Sequence, residues 1–202
     1  MYIPKKHLTL SLFRKIVNRI MNQPDDENEQ DLVKLGDQLK HADLDYKFAQ
    51  LFTLSGGFFN YCSDEAEALQ TLNQILKIEG INSVYCWEED LVNFMNVVKV
   101  PYTQDLRTTN DAAFISCEYL IAYDGKIVLS YNNIQHYDVT RLPEKIIIMA
   151  NISQIVSNLT DAMTKIKRTG NIKNLTSISG NNTKLGSSTP NNTKLFLLLL
   201  ED

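Results

Sequence analysis

The chain has 202 residues, 44% of them hydrophobic and 22% charged, the composition of a globular domain rather than of a disordered or fibrous chain. At this length folding buries roughly 70% of the surface the unfolded chain exposes, so a core forms without disulfide or metal staples. A net charge of −4 argues against a general nucleic-acid binder, because affinity for the phosphate backbone needs clustered Lys and Arg.

Residues 8–21 place Leu12, Phe13, Ile16, Val17 and Ile20 on one helical face, with Arg14, Lys15, Asn18 and Arg19 around the rest. This spacing predicts a basic amphipathic helix within a first segment, 1–23. Its expected role is to pack on its own domain or on a homo-oligomer, with docking to a membrane surface or a partner as the alternative. Pro24 ends it, and residues 24–40 read as an acidic linker or helix. Arg14 and Lys15 interrupt the apolar run too early for a signal-peptide core. The longest apolar run, 195–200, is far short of the roughly 20 residues a transmembrane helix needs. The expected location is the cytoplasm, and Cys62, Cys86 and Cys117, widely spaced among apolar residues, fit reduced core thiols there.

The third segment, 41–202, alternates short β-rich runs with helical periodicity. Gly56 and Gly57 precede a strand at 58–62, and Asp64 and Glu67 then have the spacing of a capping box. They open a helix burying Ala68, Leu69, Leu72, Ile75 and Leu76 and stopping before Gly80. A strand at 84–87 and a short helix using Leu91, Phe94, Met95 and Val98 follow; this order implies parallel strands joined by right-handed crossovers. An extended run through Phe114, Ile115 and Cys117 leads into two β-rich runs separated by Asp124-Gly125, a strong hairpin signal. The sheet is therefore expected to be mixed. Pro143 introduces a buried strand at 145–150, and Asn151 is expected to cap a helix whose stripe is Ile152, Ile155, Val156, Leu159, Met163 and Ile166. A short strand at 175–178 precedes a polar Gly/Asn/Ser/Thr segment, and the unbroken apolar run 195–200 suits a strand buried on both faces.

The order of pieces resembles the LUD-domain family, the lactate-utilisation protein C group. The resemblance is carried by Ile121-Ala122-Tyr123-Asp124-Gly125-Lys126-Ile127-Val128, Arg141-Leu142-Pro143-Glu144-Lys145-Ile146-Ile147-Ile148, the Ile155-Val156 helix, Ser177-Ile178-Ser179-Gly180 and the terminal Leu-rich strand ending in Glu201-Asp202. It covers about residues 45–202 and looks like a shorter, Bacteroidetes-type variant with a basic N-terminal helix. It implies an isomerase/CoA-transferase-like α/β fold with a mixed, mainly parallel sheet flanked by helices. Two turns depart from the family pattern: Tyr123-Asp124-Gly125-Lys126 stands where members usually carry Glu-Thr-Gly-Thr, and Gly180-Asn181-Asn182-Thr183-Lys184 stands where they carry Gly-Pro-Ser-x-Thr-Ala-Asp.

His7, His41 and His136 are far apart and form no ligand pair, so no metal site is expected. His136 reads as an exposed loop residue before it reads as a general base. No G-x-S-x-G, Walker A or G-x-G-x-x-G motif is present, and no cofactor is expected. The better ligand candidates are loops that can present backbone N–H groups to an anion: Gly180, Asn181, Asn182 and Thr183, and more weakly residues 55–57. In α/β sheets such loops are expected at the carboxyl ends of strands. Asp124, Gly125, Lys126 and Arg141 complete the candidate site, the two basic residues serving a carboxylate or phosphate. The resemblance implies an accessory subunit of L-lactate oxidation to pyruvate, working with iron–sulfur partner proteins. The alternatives are a stand-alone binder or enzyme for a sugar phosphate or CoA ester, and a non-catalytic scaffold.

Overall fold

The computed structural model describes residues 42–169, 174–180 and 193–202. The amphipathic helix expected at 8–21 and the acidic segment 24–40 lie outside the described residues, as do Asn181, Asn182 and Thr183. The elements are α1 (Leu44–Leu54), β1 (Phe58–Cys62), α2 (Glu65–Ile78), β2 (Val84–Tyr85), α3 (Glu89–Val98), β3 (Tyr102–Thr103), β4 (Ala112–Ser116), β5 (Tyr119–Ile121), β6 (Lys126–Leu129), β7 (Lys145–Asn151), β8 (Ile155–Val156), α4 (Leu159–Thr169), β9 (Thr176–Ile178) and β10 (Lys194–Leu200).

Local chemistry accounts for the boundaries. Asp64 accepts from the Glu67 N–H at 2.8 Å and caps α2, while the Glu67 carboxylate turns to the Ser63 N–H and hydroxyl. At the other end Ile81 N–H donates to Leu76 O and Gly80 N–H to Lys77 O, with Gly80 at φ +63°; this pairing closes the helix in a Schellman turn.

The strands expected as one mixed sheet divide into two. A six-stranded sheet runs β1-β10-β7-β4-β2-β3 and every one of its pairings is parallel. A four-stranded sheet, β8-β5-β6-β9, holds the antiparallel pairs. The mainly parallel α/β fold with flanking helices is what the sequence predicts; the antiparallel hairpin stacks on the parallel sheet instead of extending it. The reason lies in the side-chain alternation. Ala113, Ile115, Ile146, Ile148, Leu197 and Leu199 pack with Leu120, Ile127, Leu129 and Ile155 of the smaller sheet. Ala112, Phe114, Ile147, Met149, Phe196 and Leu198, pointing the other way, pack with Leu72, Leu76, Leu91 and Met95 of α2 and α3. Both faces of the parallel sheet are thus dry, and α4 covers the outer face of the small sheet through Ala162 against Ile121, Val128 and Val156.

Three local expectations change. Helix α1, which buries Phe48, Ala49 and Phe52 against both sheets, has no counterpart in the sequence reading. The helix expected from Asn151 begins only at Leu159, because β-branched Ile155 and Val156 pair in parallel with Leu120 and Ile121 after a single 3-10 turn. The Asp124-Gly125 hairpin is present, but its loop spans residues 122–125, since Ile121 pairs with Lys126. Only Gly125 of that loop has positive φ, +67°, so the turn is not a two-residue primed turn, which needs a left-handed first residue. No helix among the described residues is long and apolar enough to cross a membrane.

Candidate functional site at the carboxyl ends of the parallel strands

Strands β2 and β4 are neighbours, yet the chain leaves them on opposite faces: β2 continues into α3 on the helical side and β4 into β5 of the small sheet. In open parallel sheets such a switch point leaves a crevice beyond the carboxyl ends of the strands. Here it is a cavity of about 400 Å³ lined by Glu65, Glu88, Asp90, Leu91, Asn93, Phe94, Ser116, Met149, Ala150, Asn151, Gln154 and Leu200, within the size range of small-molecule sites.

Glu88 and Ser116 face one another across the switch point. Glu88 occupies the N-cap position of α3, but its side chain does not cap the helix. One carboxylate oxygen accepts from the Ser116 N–H at 2.8 Å and the other from the Ser116 hydroxyl at 2.5 Å. The Ser116 oxygen in turn accepts from Asn133 Nδ2 at 2.9 Å. The Asn133 carbonyl oxygen accepts from the Ser130 N–H at 2.8 Å, and the Ser130 hydroxyl donates to Glu118 at 2.6 Å. Asn133 is held from behind by the Trp87 indole N–H, which donates to its main-chain oxygen at 3.0 Å. Gln154 donates to Cys117 O at 2.5 Å and accepts from the Asn151 N–H at 2.7 Å, fixing the chain as it passes from β7 to β8. The network therefore joins the two sheets where the cavity opens, and it uses both acceptors of the Glu88 carboxylate without exhausting their lone pairs.

Burial pushes the Glu88 carboxyl above its usual range, with the Ser116 hydrogen bonds opposing the shift and the charges of Glu118 and Asp90 adding to it. A carboxyl whose folded value is raised holds its proton more tightly in the native state. Its stabilising contribution is full below the unfolded value and is lost as pH rises through the folded one. The expected result is that Glu88→Gln gains melting temperature relative to the parent chain as pH is raised from 4 to 8, read from paired thermal melts. A constant difference across that range would place the elevated carboxyl elsewhere.

The residues singled out from the sequence sit elsewhere. Residues 55–57 precede β1 and so lie at the amino edge of the sheet, not at the carboxyl edge expected of them. Gly180 packs on that turn, its N–H donating to Ser55 Oγ at 3.2 Å, and Gly125 lies against the backbone of Leu51 and Phe52 in α1. The fold thus brings together Asp124, Gly125, Lys126, Gly180 and residues 55–57. Lys126 pairs with Asp124 at 2.9 Å, and Arg141 stacks over the Tyr137 ring at 5.2 Å. Sequence reasoning missed Glu88 and Ser116. A signal existed for Glu88, which directly follows the run at 84–87 read as a parallel strand, where the carboxyl-end rule directs attention; Ser116 lay inside the extended run through Phe114, Ile115 and Cys117 and carried no such mark. Cys62, Cys86 and Cys117 are buried and unpaired with one another, and burial pushes the Cys62 thiol up to about 11.

Residues 103–196 match the family model of the LUD domain. The match to the LUD domain spans a little under half of the chain. Among solved structures, a DUF162-family protein from Deinococcus radiodurans superposes with a TM-score of 0.60 at 18% identity, covering 78% of this chain and 96% of its own; at that identity the likeness concerns the fold. No curated protein matches. The LUD match takes in Ser116, Ser130, Asn133, Asn151 and Gln154, whereas Glu65, Glu88 and Asp90 come from the stretch before it, so the cavity is assembled from both.

Proposed function

We propose that this LUD-domain protein binds a small metabolite in the crevice at the β2/β4 switch point, with Glu88 as its principal polar contact. The observation that carries this reading is the Glu88 carboxylate itself: a half-buried acid, fixed by Ser116 and backed by Asn133, on the wall of the cavity. Burying a carboxyl costs free energy unless partners offset it, and a chain with no use for one there would be served by an apolar residue. The test is a thermal-shift screen of the purified full chain against L-lactate, pyruvate, sugar phosphates, CoA esters and small amines, repeated with Asn93→Trp, which narrows the mouth from an exposed helix position. A ligand at a hundred times its dissociation constant adds about 2.7 kcal/mol of stability. Stabilisation that Asn93→Trp abolishes supports the crevice; stabilisation indifferent to it does not.

The LUD family is linked to lactate utilisation, and within that process we propose a role as a cytoplasmic accessory subunit. What supports it is the cysteine inventory: each of the three thiols is a core side chain on or beside a strand of the parallel sheet, so iron–sulfur centres would reside in partner proteins. Affinity purification from the native cell, probing for iron–sulfur subunits, tests this role. A second reading, an anion held between the Asp124-Gly125-Lys126 turn and Gly180, Asn181, Asn182 and Thr183, draws on the convergence of Gly125 and Gly180. Lys126→Ala separates it from the crevice, because Lys126 does not line the cavity.

A further inference from the structure

The charge of the crevice points to the kind of ligand it takes, an inference that rests on the crevice reading above. Three carboxylates, Glu65, Glu88 and Asp90, line the cavity together with amide and hydroxyl side chains, and no Lys, Arg or His is among the lining residues. The N-termini of α2 and α3 also face it, each equivalent to roughly half a positive charge. These two ends together balance about one of the three carboxylates. Asp64 already serves the first N-terminus, accepting from Glu67 N–H at 2.8 Å, and Glu89 and Asp90 stand in the first turn of the second. An anion entering the crevice meets net negative potential, and a cation meets net attraction.

Glu88 differs from the two rim acids in being immobilised. Ser116 holds one edge of both oxygens at 2.8 and 2.5 Å, and Asn133 fixes the Ser116 hydroxyl so that its proton points at Glu88. The remaining lone pairs are presented at a fixed place, which lowers the entropy cost of binding a hydrogen-bond donor. The ionisable groups around the carboxyl are Tyr85 from β2 and Cys86 just after it, Cys117 and Glu118 from the stretch after β4, Asp90 from α3 and Glu65 from α2. None of them is a base that would compete for the carboxylate. The elevated Glu88 carboxyl is the state that an arriving ammonium relieves by favouring the charged form.

We propose that the crevice binds an organic amine, with its ammonium group hydrogen-bonded to Glu88 and its apolar part against Leu91, Phe94 and Met149. In this reading L-lactate is not the crevice ligand, and a role in lactate utilisation runs through partner proteins instead.

Isothermal titration and thermal melts of the full chain with putrescine and ethanolamine, alongside glycerol, L-lactate and inorganic phosphate, decide the matter. The expected result is binding of an amine that weakens at least tenfold in Glu88→Gln and is lost in Asn93→Trp, with no response to lactate or phosphate. Amine binding unchanged in Glu88→Gln overturns the proposal, as does the absence of any response to both amines. An anion or glycerol whose binding is lost in Asn93→Trp overturns the amine assignment while upholding the crevice. Binding of any probe that ignores Asn93→Trp overturns the crevice reading itself.

Discussion

Removing residues 194–202 is expected to leave no folded protein. Strand β10 runs between β1 and β7, paired with Phe58 to Cys62 on one side and with Lys145 to Asn151 on the other. Its deletion strips the hydrogen-bond partners from two strands at once and isolates β1 from the sheet. The side chains weigh as heavily. Leu195, Phe196, Leu197, Leu198 and Leu199 are each at most 5% exposed, alternating between the layer shared with the small sheet and the layer shared with α2 and α3. Truncating a single buried Leu to Ala costs about 2–5 kcal/mol, against a total domain stability of about 5–15 kcal/mol. Loss of the whole strand therefore exceeds what the remaining contacts can hold. Circular dichroism and the soluble fraction after expression check this, with Leu197→Ala as the graded comparison: it should still melt cooperatively, less stable by about 2–5 kcal/mol. A cooperative melt from the truncated chain would show that β10 adds to a sheet that is already complete.

That strand was legible because five consecutive buried residues leave no polar face, and a β-strand with none must lie inside a two-sided sheet. The same logic exposed β7, whose Ile146, Ile147 and Ile148 are buried on alternate faces, and α2, whose cap and stop are local chemistry. The division into two sheets was not legible. Hydrophobic alternation says which residues turn inward but not whether the partner layer is a helix or another sheet, and β5 and β6 look alike in either setting. Ile155 and Val156 satisfy a helical stripe and a β pair equally well, and only the neighbouring edge of β5 decides between them. The crevice was hidden for a similar reason. Glu89 and Asp90 form the acidic first turn of α3, and nothing local sets Glu88 apart from them; its role depends on Ser116, 28 residues further along. Asn133 lies in the polar stretch between β6 and β7, and the bonds that anchor it reach β4, the loop after β6 and Trp87.

Two glycines are expected to tolerate no side chain, while a third that shares the left-handed backbone of one of them tolerates it at modest cost. Antiparallel pairing matches Ile127 with Ile178, and continuing that register two residues brings Gly125 opposite Gly180. Both press on the end of α1. A Cβ at Gly125 would stand 2.6 Å from Leu51 C and Phe52 N, and one at Gly180 would stand 2.2 Å from Gly57 N and 2.4 Å from Ser55 O. These are backbone atoms of a helix end and its turn, anchored by Phe52 in the core, so they cannot swing aside as a flexible side chain would. Gly125 adds a φ of +67°, which carries its own penalty for a branched residue. Gly125→Val should lose about 3–5 kcal/mol, overpacking and backbone strain combined, and Gly180→Val about 1–3 kcal/mol from overpacking alone. Gly80 separates the two causes. Its φ of +63° is as left-handed as that of Gly125, but a Cβ there meets nothing within 4 Å, so Gly80→Ala should cost only about 1 kcal/mol. Denaturant melts of the three variants provide the ordering. If Gly80→Ala were as damaging as Gly125→Val, backbone conformation alone would govern these turns; if Gly180→Val were neutral, the contact between the β9 end and the turn at residues 55–57 would not form.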